Sequence, residues 1–107
     1  MKNKPDKWVV IKIGEESPIY KVFASWYGGY LDGDSWKMNS GITKIEETDK
    51  SFLFHGYSGS IYECNKNSYG TNSYSDGVLN NIIKIGNSNK FQIEILPEDT
   101  EFSNLIL

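Results

Sequence analysis

Short runs of alternating apolar and polar residues, cut by Gly, Pro, Asn, Asp and Ser, make up most of this chain. Residues 8–13 (WVVIKI) come first and are rich in β-branched and aromatic side chains, which predicts a strand. Trp8 and Val10 share one face, while Val9, Ile11 and Ile13 share the other. With both faces apolar, this strand is expected to lie centrally. Residues 14–18 (GEESP) turn the chain, and 19–26 form a second strand with Tyr20, Val22, Ala24 and Trp26 on one face. The short separation favours an antiparallel hairpin between the two. Gly28-Gly29 then breaks the strand and Asp32-Gly33 turns it, before a short strand at 35–38. Residues 42–47 and 51–57 flank Thr48-Asp49-Lys50 as another hairpin, and Ser58-Gly59 leads into a strand at 60–64.

The period changes late in the chain. Val78, Leu79, Ile82 and Ile83 recur at helical spacing, with Asp76 able to cap the start and Gly86 just past the end, so one short helix is predicted over 78–85. Residues 91–96 alternate again, with Phe91, Ile93 and Ile95 on one face, and the apolar end at 102–107 is expected to dock. Two stretches lack any pattern. Residues 1–7, with Pro5, suggest a flexible lead-in, and the polar run 65–77 is long enough for a compact domain that it should be either functional or disordered. The sum is a mainly β single domain over residues 1–107 with one short helix. The architecture expected is a small antiparallel β-barrel or sandwich of six to seven strands.

Composition adjusts this picture in two respects. Only 38% of residues are hydrophobic, yet 15 of the 107 are Phe, Trp or Tyr, so rings must supply much of the burial. The net charge is -3, which gives no bulk attraction for nucleic acid or an anionic membrane. Every basic residue is lysine, and without arginine a protein that reads DNA sequence is disfavoured. Charge is also uneven: Lys2, Lys4, Lys7 and Lys12 crowd the start, whereas Glu94, Glu98, Asp99 and Glu101 occupy the end without a lysine. A single cysteine, Cys64, allows no internal disulfide, and MKNKPDKW has no apolar core for a signal peptide. No apolar run is long enough to span a membrane. The expected setting is cytoplasmic, with no membrane association.

Motifs for chemistry are sparse. Asp32-Gly33-Asp34 invites a calcium reading, but Trp36 stands at the fifth loop position and Thr43 at the twelfth, where a bidentate Glu is needed. No metal or cofactor is implied. His55 and Cys64 could form a nucleophilic pair only if the hairpin brought them together, and no third group or oxyanion element accompanies them. An enzyme is not expected.

What remains is aromatic. Residues 26–42 (WYGGYLDGDSWKMNSGI) hold two of the three tryptophans, two tyrosines and four of the ten glycines. Rings beside glycine and serine suit an adaptable binding surface. Trp26 and Trp36 are expected to be mostly buried. The candidate binding residues are Tyr27, Tyr30, Asp32, Asp34, Tyr57, Tyr69 and Tyr74. The stretches KVFASWYGGYLDGDSWKMNSGI and FHGYSGSIYECNKNSYG resemble small proteins of tailed bacteriophages, across residues 21–70. That resemblance implies an accessory protein acting on a host or defence component in the infected cell. The leading expectation is therefore a non-enzymatic protein-binding module, an inhibitor that occludes its target with an aromatic and acidic surface. The alternative is a binder of single-stranded nucleic acid or a nucleotide on an aromatic platform. A homodimer through an exposed strand edge is also open.

Overall fold

A computed structural model describes residues 2–28 and 33–106. It is mainly β, with two four-stranded sheets and one long helix. The strands are β1 (Lys2–Asn3), β2 (Lys7–Ile13), β3 (Ile19–Trp26), β4 (Ser35–Met38), β5 (Ile42–Glu47), β6 (Ser51–Gly56), β7 (Ile61–Asn65) and β8 (Ile93–Ile95). The helix α1 spans Ser73–Ser88, and short 3-10 turns occupy Lys66–Ser68 and Phe102–Asn104. One sheet has the order β1-β7-β6-β5 and the other β4-β3-β2-β8, so the chain forms a sandwich and not a closed barrel.

The sandwich has a third layer. Trp8, Val10, Val22 and Ala24 face the other sheet, where they meet Ile42, Phe54, Tyr62 and Cys64. The opposite face of the same sheet presents Val9, Ile11 and Phe23 to Leu79 of α1, with Val78, Ile82 and Ile83 packed around them. Both faces of β2 are therefore covered, which is why its sequence is apolar on both sides. The hairpins expected for β2–β3 and β5–β6 are present, the second closed by Thr48, whose N–H donates to the Ser51 carbonyl at 2.8 Å. Between β4 and β5 the chain crosses from one sheet to the other. Asn39 holds this corner, accepting from the Val22 N–H at 2.9 Å while its own N–H donates to the Val22 carbonyl at 3.0 Å. Gly41 sits at φ +128°, where a Cβ would lie 2.9 Å from the Tyr57 ring.

Four expectations change. The lead-in is tied down: β1 pairs in parallel with β7, and Pro5 is buried. The polar run at 65–77 is built into the fold, since Asn65 caps the first 3-10 turn, Tyr69 bridges to Trp8 and α1 begins at Ser73. The helix is twice the expected length because Asn72, not Asp76, caps it: its side chain accepts from the Ser75 N–H at 2.7 Å and Ser75 Oγ accepts from the Asn72 N–H at 3.0 Å. Gly86 does not end α1 either. It lies buried within it, where a Cβ would come 2.2 Å from the Ile93 side chain. Finally, Trp36 is 37% exposed, because β4 is an edge strand and its ring stacks on Phe23 from outside, 5.3 Å between centroids.

Candidate binding site

Among the described residues, the predicted binding residues Tyr27, Asp34, Tyr57, Tyr69 and Tyr74 do not form one face. Tyr27 is 57% exposed just beyond β3, with its N–H donated to Asp6 at 2.8 Å. Asp34 accepts from the Gly28 N–H at 3.2 Å, and a Cβ on Gly28 would fall 1.1 Å from the Gly33 carbonyl oxygen. Only glycine lets these two backbones meet. Tyr30 and Asp32 lie outside the described residues. Tyr57 is 74% exposed, but it stands beside Gly41 and Ile19 at the start of β3, about 25 Å of strand away from Tyr27. Tyr74 is exposed on the first turn of α1.

Tyr69 is committed to the interior. Its ring packs edge-on against Trp8 with 4.7 Å between centroids. Its hydroxyl donates to the Leu96 carbonyl at 2.5 Å and accepts from the Val10 N–H at 3.2 Å. Burial pushes this phenol up to about 12, helped by the nearby charge of Glu98 and opposed by the Val10 hydrogen bond.

His55 and Cys64 fall on opposite faces of their sheet, because Cys64 pairs with Phe52 and His55 with Ile61. Cys64 is wholly buried, and desolvation drives its thiol pKa far upward, which removes the thiolate a nucleophile needs. His55 is half-buried on the outer face of its sheet, with its buried Nε2 3.6 Å from Glu46. Among the described residues, no three His, Cys, Asp or Glu side chains gather as metal ligands, and no helix is long and apolar enough to cross a membrane.

A different constellation forms at the end of the sandwich where β5, β6 and β7 meet the C-terminal segment. Trp8 and Phe102 are buried at its base, 5.3 Å between ring centroids, and Phe52 and Tyr69 make its walls. The cleft has a volume of about 250 Å³. Its rim carries Glu47, Lys66 and Glu98. A neighbouring recess of about 400 Å³ shares Glu47, Phe52 and Phe102 and adds Glu101. Lys66 already shows what this chemistry holds: its ammonium lies 2.6 Å from Glu47 and 5.1 Å above the Phe52 ring. Aromatic faces and carboxylates both attract a cation, and the attraction strengthens where water is partly excluded. The hydrogen bonds from Lys66 and Ser103 keep Glu47 below the usual carboxylate range, so Glu47 is ionised in its pair with Lys66 at neutral pH.

The sequence reading missed this cleft because its members are scattered from residue 8 to residue 102. The only local signal was the acid-rich, lysine-free end. Fold and cleft together define a two-sheet sandwich, backed by a helix, with an aromatic, acid-rimmed hollow at one end. No protein-family model, no curated protein and no solved structure matches this chain.

Proposed function

We propose that this chain is a non-enzymatic binding module that grips a protein partner by a basic side chain seated in the aromatic, acid-rimmed cleft. The partner is a host or defence component, in keeping with the resemblance to small phage proteins, and the module acts by covering the surface it holds. The observation that carries the reading is the internal salt bridge of Lys66, whose ammonium rests between the Glu47 carboxylate and the Phe52 ring. A lysine or arginine from a partner would compete with Lys66 for the Phe52 face and for Glu47, whose oxygens accept from Lys66 and Ser103, with Glu98 and Glu101 adding negative charge alongside. A central aromatic anchor with a charged rim is also how most binding energy is concentrated in protein interfaces.

Affinity capture from host lysate tests this. The wild-type chain should retain a partner whose binding weakens with salt, and Glu98→Lys should lower retention at least tenfold without moving the melting temperature. Tyr57→Ala, remote from the cleft, should retain it normally. Equal capture by wild type, Glu98→Lys and Phe52→Leu would show that the cleft is not the grip.

A further inference from the structure

A second hollow, of opposite charge, lies along the open side of the sandwich, where the edge strands β1 and β4 approach each other. Its volume is about 370 Å³, at the small end of the range of about 300–1,000 Å³ typical of small-ligand pockets. Lys2 and Lys4 come from β1 and the residue after it, Lys37 and Ser35 from β4, and Trp26 from the end of β3. Among the described residues no carboxylate lines it.

Two features give this hollow a chemistry. The first is charge. Lys2 and Lys4 share one carboxylate, Glu63, at 3.3 and 3.8 Å, so one negative charge stands against two ammonium groups. Lys37 adds a third ammonium from the other sheet. The second is a fixed ring. Trp26 Nε1 donates to the Lys4 carbonyl at 2.9 Å, which locks the indole against β1, and the ring packs on the core from its inner side. A flat ring beside clustered ammonium groups is what a base joined to a phosphate requires: stacking at one end and charge-assisted hydrogen bonds at the other. Asn3 and Ser35 also line the hollow, with Asn3 Nδ2 donating to the Ile61 carbonyl at 3.5 Å.

We infer that this hollow binds a nucleoside monophosphate, with the base on Trp26 and the phosphate among Lys2, Lys4 and Lys37. A free nucleotide is favoured over a nucleic-acid strand because the hollow holds about one nucleotide. The chain as a whole also carries a net charge of -3, which repels a polyanion but barely affects a small ligand at a local basic site. The inference is independent of the cation-binding cleft, which lies at a different part of the sandwich.

Tryptophan fluorescence in a Trp36→Phe background tests it, with Trp8 buried and Trp26 left as the reporter. Adenosine 5′-monophosphate and guanosine 5′-monophosphate should quench saturably at low salt. Adenosine alone and inorganic phosphate alone should each bind at least tenfold more weakly. Lys37→Ala should weaken nucleotide binding at least fivefold at unchanged melting temperature, whereas Lys84→Ala on the exposed side of α1 should not. Absence of saturable quenching by either nucleotide would overturn the inference, as would binding unchanged in the Lys2→Ala/Lys37→Ala double variant. Tighter binding per nucleotide by an eight-base oligothymidylate, with a steep salt dependence, would replace the free nucleotide with a single strand.

Discussion

Trp8 joins several segments of this molecule. Its ring meets Phe52, Phe54, Tyr69 and Phe102, and its Nε1 donates to the Asn65 carbonyl at 2.7 Å. Tyr69 then ties that cluster to β2 and to the C-terminal segment through its hydroxyl. Tyr69→Phe keeps the ring and removes both hydrogen bonds, leaving the Leu96 carbonyl and the Val10 N–H without this partner. The expected cost is about 1–3 kcal/mol, a drop of several degrees in melting temperature for a domain this size. The pH dependence identifies the cause. A phenol pushed up to about 12 contributes fully below the ordinary tyrosine value of 10.0, and its contribution is lost as pH rises from there through about 12. Across that window the unfolded chain ionises Tyr69 and the folded chain does not. Alkaline unfolding of the Phe variant, followed by circular dichroism, should therefore release one proton fewer. An unchanged proton release would mean that Tyr69 is not held as described.

At the scale of elements, α1 shows what sequence patterning could and could not convey. Its apolar positions Val78, Leu79, Ile82 and Ile83 identified the helix and the face it buries, because packing against Val9, Ile11 and Phe23 demands that spacing. Its ends were hidden. Asn72 and Ser75 form a reciprocal cap inside a run so rich in Asn and Ser that no single residue stands out, and Gly86 reads as a stop although Ile93 needs the space above it. At the far end Asn87 continues the connection, accepting from the Ile93 N–H at 2.6 Å and donating to the Ile93 carbonyl at 3.3 Å, so the helix is stitched to β8. Asn72→Ala should cost about 1 kcal/mol and speed amide exchange in the first turn of α1 while leaving β5–β6 unaffected. Exchange that rises equally in both places would point to global destabilisation instead of fraying.

On the scale of the whole chain, the two-faced strand at Trp8–Ile13 correctly announced a central position, since only a sheet covered on both sides accepts such a pattern. The glycine- and ring-rich stretch from Trp26 to Ile42 was harder to weigh. Composition alone made it look like one surface, whereas β4 and the Asn39 corner divide it between a sheet edge and a crossover. Tyr57 and Tyr27 end up far apart for the same reason: proximity between turns depends on strand length and sheet order, which residue types do not encode. The cleft at the sandwich end was invisible because Trp8, Phe52, Lys66 and Phe102 belong to four separate segments. What the sequence did carry was its charge asymmetry. Lys2 and Lys4 of the N-terminal segment border the hollow beside Trp26, Glu98 of the C-terminal segment borders the cleft beside Trp8, and Lys12 and Glu94 pair with each other at 3.7 Å.

The central claim is that the acid-rimmed cleft accepts a cationic side chain. The most direct measurement is an amide chemical-shift titration with N-acetyl-lysine methylamide at low salt. Saturable shifts should centre on Phe52, Lys66, Tyr69 and Phe102, fade as salt is added, and be lost in a Glu47→Gln/Glu98→Gln variant that remains folded. Shifts that never saturate, that map elsewhere, or that persist unchanged in that variant would contradict the account.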